Sequence, residues 1–219
     1  MRAGTPSSAG LPEHPCWQRL ALADARLCLA PAWLPAARAD ALFAELHATL
    51  PWTVHALRLF GREVDAPRLS AWIGDADAHY AYSGTRFAPQ PWTPALAGLR
   101  DALQRICGAR FNSVLANLYR DGRDAMGWHS DDEPELGPRP LIASVSLGAP
   151  RRFLLRRRRP RGEPAQPADT LALELPHGSL LLMAGDTQRH YRHALPRTRA
   201  AVGARINLTF RLILPSAPR

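Results

Sequence analysis

Arg205-Ile206-Asn207-Leu208-Thr209-Phe210-Arg211 alternates polar and apolar residues without a break. A strand has a side-chain period of two. Arg205, Asn207, Thr209 and Arg211 therefore point one way, and Ile206, Leu208, Phe210 and Leu212 the other. Such a strand is either a solvated edge or one wall of an anion pocket that carries two guanidinium groups.

The region after Gly108 reads as short strands over 111–119, 141–147, 152–157, 170–175, 179–183, 189–194 and 204–213. Asp121-Gly122, Gly148-Ala149-Pro150 and His177-Gly178 are turn signals between them. Many short strands with few helices and no internal repeat predict a β-sandwich or jelly roll. Upstream, Thr93 caps a helix with Pro94 in its first position. Leu96, Leu99, Leu103 and Ile106 repeat at helical spacing until Gly108. A second helix is expected over 35–49, with Leu42, Phe43 and Leu46 on one side. Leu57 to Trp72 reads as extended, with turns at Gly61 and Pro67. Residues 1–30, rich in Ala, Pro, Gly and Ser, read as a loosely ordered arm. The Pro-rich 160–168 reads as a loop. No linker divides the remainder, so 31–215 is expected to be one domain.

The chain has 219 residues, enough for a substantial core without disulfides. Cys16, Cys28 and Cys107 lack zinc-finger spacing and read as reduced thiols. Neither a signal-peptide core nor a membrane-length apolar run is present in the sequence, and a bacterial cytoplasmic location is the expectation. All 28 basic residues are Arg, and the net charge of +9 favours polyanionic partners such as nucleic acid. Residues 151–161 hold seven of these Arg. The run reads either as a solvated basic loop or as a loop that grips phosphates.

His129 and Asp131, two apart in an extended segment, project to the same side. A further His lies some sixty residues on. Two imidazoles and a carboxylate on one face of a metal leave three positions open, as a non-haem Fe(II) oxygenase requires. His190 and His193 both fit as the second imidazole on position alone. A dicarboxylate chelating the metal needs a cationic partner, and the Arg-bearing strand supplies one.

The pieces LFGRE (59–63), YAYSG (80–84), NLYRDG (117–122), WHSDDE (128–133), IASVSLG (142–148), HALP (193–196) and RINLTFR (205–211) resemble the AlkB family of Fe(II)- and 2-oxoglutarate-dependent dioxygenases. The similarity is strongest to the members that repair double-stranded DNA. It implies an α+β fold: a double-stranded β-helix (jelly-roll) core over 111–213, N-terminal helices and a nucleotide-recognition hairpin lid over 57–90.

By this resemblance, His129, Asp131 and His193 bind Fe(II), the HALP element selecting His193. Arg205 and Arg211 hold the carboxylates of 2-oxoglutarate, with help from Asn117, Tyr119, Asn207 and Thr209. Tyr80, Tyr82 and Ser83 line the base pocket, where Tyr82 and the His129 ring sandwich a cationic methylated base. Asp132 and Glu133 accept from its exocyclic amine. Phe60, followed by Gly61, matches a wedge that fills the gap left by a flipped base. Arg62 and Arg68 hold neighbouring phosphates, and Arg157, Arg158, Arg159, Arg161, Arg197 and Arg199 grip the backbone farther out.

The implied reaction is oxidative demethylation of 1-methyladenine or 3-methylcytosine in DNA, using O₂ and releasing succinate, CO₂ and formaldehyde. A monomer acting on alkylated duplex DNA is the expectation. The alternatives are the same chemistry on RNA or single-stranded DNA, a non-catalytic basic nucleic-acid-binding module, and a dioxygenase acting on a protein or small molecule. The chain departs from the animal members at Leu59, at Tyr82 in place of Phe, at Pro134 and throughout the arm.

Overall fold

The computed structural model describes residues 17–59, 62–78, 80–82, 85–159, 163, 164, 166 and 169–214. In chain order its elements are β1 (Gln18–Leu20), β2 (Arg26–Ala30), α1 (Ala36–Thr49), β3 (Thr53–Leu59), β4 (Arg62–Gly74), β5 (Tyr80–Tyr82), β6 (Thr85–Phe87) and α2 (Pro94–Cys107). There follow β7 (Ser113–Tyr119), β8 (Met126–His129), β9 (Ile142–Gly148), β10 (Arg151–Arg157), β11 (Thr170–Leu175), β12 (Ser179–Ala184), the short α3 (Thr187–His190), β13 (Tyr191–Leu195) and β14 (Arg205–Arg211).

The larger sheet has eight strands in the order β1-β2-β12-β9-β14-β7-β4-β3, and the smaller has four in the order β11-β10-β13-β8. All the pairings are antiparallel. Strand β14 lies inside the larger sheet, between β9 and β7. The solvated-edge alternative for Arg205–Arg211 is therefore wrong, and both faces of this strand are covered.

The apolar face of β14 is in the main core. Ile206, Leu208 and Phe210 are fully buried there with Leu96, Leu99 and Leu103 of α2 and Leu42 and Leu46 of α1. Trp92 stacks on Phe210 and Phe111 meets its edge. Thr93 accepts from Leu96 N–H and Gly108 closes α2 in the left-handed region, as the sequence predicts. The helices thus hold one face of the larger sheet. Its other face is left for the smaller sheet and the site between them.

Four sequence expectations need correction. First, the segment 1–30 is not all loose arm: β2 pairs with β12, and Leu27, Cys28, Leu29 and Ala30 are buried. Residues 1–16 lie outside the described residues. Second, Pro67 makes no turn. β4 runs through it, and the β3–β4 register shifts between Val54 and Ala56, which accommodates a residue that cannot donate to the ladder. Third, Leu69–Gly74, counted in the lid, pairs with β7 and carries buried Ala71, Trp72 and Ile73. Fourth, the strand expected over 189–194 begins at Tyr191, because Thr187–His190 closes a helical turn.

Candidate active site

His129 ends β8 and His193 stands directly opposite it on β13. Their rings meet edge to face at 4.1 Å between centroids. Asp131 follows two residues after His129. Its Oδ1 lies 3.9 Å from His129 Nε2 and its Oδ2 3.9 Å from His193 Nε2. One ligand atom from each of the three residues falls within 4.8 Å of the others. His190, at the end of α3, is not in this cluster.

The chemistry of the donors fits a divalent metal. His129 Nδ1 lies 2.8 Å from the Gly127 carbonyl, so this nitrogen carries the proton and leaves Nε2 a free lone pair. Asp131 Oδ2 is buried and accepts no hydrogen bond among the described residues. Burial pushes both imidazoles below their ordinary range, His193 to about 3, where the neighbouring His129 adds to the effect. Burial alone would raise Asp131, but Arg211 and the two imidazoles outweigh it and hold the carboxyl at about 2. The three groups are thus deprotonated at neutral pH, the state that a metal requires.

The opposite wall comes from the larger sheet. Asn207 pairs with Asn117 on β7 and Ser146 on β9, and Thr209 with Leu115 and Ser144. This register carries Asn117, Tyr119, Asn207, Thr209 and Arg211 to one concavity, together with the metal-type cluster. Arg211 Nη2 donates to Asp131 Oδ1 at 2.7 Å, which joins the two walls. Burial raises the Tyr119 phenol, opposed by the nearby Arg68, Arg205 and Arg151, so it remains a donor.

Arg205 does not line the concavity. It is fully buried behind Asn207, donating to that side chain, to Ser146 Oγ and to the Leu175 carbonyl. Among the described residues its Nε has no acceptor. Burial lowers it to about 10, so it stays charged at neutral pH.

The basic residues are arranged differently from the expectation. Arg151–Arg157 is a strand, matching the one expected over 152–157, so this part of the basic run is not loop. Arg151 is buried and donates to the carbonyls of Asp121, Asp124 and Pro196, fixing the loops beside the site. Arg157 pairs with Asp24, Arg158 with Asp132, and Arg159 with Asp169 and Glu163. Arg156 packs over the Trp128 ring at 4.3 Å. Arg68, expected on a phosphate, is buried and its Nε donates to Asn117 Oδ1 at 2.9 Å. Arg197 and Arg199 are exposed. Phe60, Gly61, Ser83 and Arg161 lie outside the described residues, as do the side chains of Arg62, Tyr80 and Tyr82.

Sequence reasoning missed the apolar lining: Leu115, Met126, Phe153, Met183 and Leu195. It also missed Ser144, which donates to Asn207, and Gln188, whose side-chain oxygen accepts from Asp131 N–H. Strand alternation around Asn117 could have flagged Leu115, but nothing in the sequence marks Gln188.

A family model for the 2OG-Fe(II) oxygenase superfamily matches residues 26–211 of the chain. The chain belongs to the 2OG-Fe(II) oxygenase superfamily. It is an AlkB-type member and an enzyme of the Fe(II)- and 2-oxoglutarate-dependent dioxygenase class. It is 40% identical to the DNA oxidative demethylase ALKBH2 of Mus musculus, over 98% of this chain and 91% of that protein. It is 38% identical to the alpha-ketoglutarate-dependent dioxygenase alkB homolog 3 of Bos taurus, over 87% of this chain and 67% of that protein. The solved structure of OsALKBH1 shares the fold, with a TM-score of 0.59 at 18% identity over 89% of this chain and 99% of that one. Fe(II), 2-oxoglutarate and O₂ are therefore its cofactor and co-substrates. His129, Asp131 and His193 are the residues placed to hold the metal.

Proposed function

We propose that this dioxygenase removes N-linked methyl groups from bases in DNA, a direct-reversal repair of lesions of the 1-methyladenine and 3-methylcytosine type. One observation carries the reading. The metal-type cluster faces a wall of Asn, Tyr and Arg side chains across one concavity, in a chain 40% identical to a protein named DNA oxidative demethylase.

When bound, Fe(II) with 2-oxoglutarate and O₂ supplies the oxidising power that hydroxylates the methyl carbon, which then leaves as formaldehyde. The protein positions the reactants and excludes water. Arg211, with Asn117, Tyr119 and Asn207, supplies donors for a dicarboxylate, and Arg205 adds its positive charge from behind Asn207. Phe153, Met183 and Leu195 keep the concavity apolar beside the cluster. The base is held between Tyr82 and the His129 ring, and the acidic turn at Asp132-Glu133 accepts from its exocyclic amine. Duplex DNA is the preferred substrate in this reading, with Phe60 filling the gap left by the flipped base.

Mass spectrometry of a 3-methylcytosine oligonucleotide tests the function. The expected result is conversion to cytosine that requires 2-oxoglutarate. Persistence of the methyl group under all conditions would overturn it.

A further inference from the structure

Arg158 stands just past β10, in a run whose charges suggest contact with nucleic acid, yet its guanidinium turns inward to the acidic turn. Nη2 donates to Asp132 Oδ2 at 2.7 Å and to Ser130 Oγ at 2.8 Å. Ser130 in turn donates to the Tyr191 carbonyl, and Arg158 N–H to the His190 carbonyl. One nitrogen therefore bonds to residues on both sides of Asp131, and β13 anchors the arrangement. The pairing uses only one oxygen of Asp132: Oδ1 makes no hydrogen bond among the described residues.

We propose that Arg158 is a specificity-determining residue that sets how strongly Asp132 favours a cationic lesion over a neutral one. This rests on the proposed function, in which Asp132 meets the exocyclic edge of the base. A carboxylate already paired with a guanidinium attracts a second cation less than a bare one does. Its open Oδ1 still accepts a hydrogen bond from the exocyclic amine of a cationic lesion. Arg158 thus moderates the preference for charge while holding the turn in place, and this lets the site accept neutral methylated bases as well.

The test measures binding to single-stranded oligonucleotides carrying 3-methylcytosine, cationic at neutral pH, or 3-methylthymine, which is neutral. The full chain is loaded with Mn(II) and 2-oxoglutarate under nitrogen, so that nothing turns over. Arg158→Ala is expected to increase the ratio of the two affinities roughly 2- to 5-fold, the range for a half-exposed ion pair. Arg158→Lys keeps the charge and the native ratio. In an Asp132→Asn background, Arg158→Ala leaves the ratio where Asp132→Asn put it. Equal weakening of both oligonucleotides by Arg158→Ala would assign Arg158 to a phosphate and overturn the proposal, as would a fall in the ratio. A native protein that binds neither oligonucleotide would instead overturn the reading beneath it.

Discussion

Arg211 and Asp131, eighty residues apart in sequence, meet at 2.7 Å where the larger sheet faces the smaller one. Both side chains are almost wholly buried, at 4% and 3% exposure. Removing one partner of such a pair leaves an uncompensated buried charge, at a cost of about 3–5 kcal/mol. Arg211→Leu is therefore expected to be strongly destabilised in urea. It should also bind Mn(II) about 10- to 100-fold more weakly, because Asp131 loses the cation that keeps it ionised. Native affinity for Mn(II) in a folded variant would contradict this account.

Acid should destabilise the metal-free protein. An ordinary His takes up its proton near 6.5, whereas folded His193 does so only at about 3. Between these values the unfolded chain binds more protons, so stability falls as pH falls. The slope is about 1.4 kcal/mol per pH unit for this group, and His129 adds to it in the same direction. Asp131, depressed to about 2, contributes stability above its unfolded value of 3.8 that is lost as pH falls through 2. Urea melts of the metal-free protein from pH 7 downward should show the decline, and His193→Gln should flatten it. A flat native profile would contradict the buried, neutral state of His193.

How much of this was legible in the sequence depends on how local each signal is. The alternation of β14 and the capping of α2 are written in neighbouring residues, and both appear in the structure as read. The convergence of His129 and Asp131 needed only a spacing of two. Strand β2 was missed because Leu27-Cys28-Leu29-Ala30 is a short apolar run in an Ala- and Pro-rich stretch, without the alternation that marks a half-exposed strand. Its burial comes from β12, far away in sequence. The arginine run misled for a related reason. Charge density is visible in one dimension, but the carboxylates that neutralise Arg157, Arg158 and Arg159 come from Asp24, Asp132 and Asp169. Arg68 reads in sequence as a phosphate contact, whereas its partner is Asn117 on the adjacent strand.

Cys28 and Cys107 should resist thiol reagents in the folded protein. Burial raises both thiols, Cys107 to about 12, so almost no thiolate is present at pH 8. Labelling with a chromogenic disulfide is expected to reach these two residues only after unfolding. Rapid reaction of Cys107 in the native state would contradict its burial at the end of α2.

The proposed preference for duplex DNA rests on Phe60. Leu59 and Arg62 close the β3–β4 ladder on either side of it in sequence. If Phe60 replaces a flipped base in the stack, Phe60→Ala should slow demethylation of duplex DNA by about 10-fold or more, as a lost offset of a few kcal/mol implies. Single-stranded DNA should be little affected. Equal rates on duplex for both proteins would remove the wedge and leave the chemistry.

The most direct test of the central claim is formaldehyde release from a duplex carrying one 3-methylcytosine. The native protein is compared with Asp131→Asn and His129→Ala, each with Fe(II), with and without 2-oxoglutarate. Release is expected from the native protein only, dependent on 2-oxoglutarate, while both variants still bind the duplex. Undiminished release by either variant, or release without 2-oxoglutarate, would contradict it.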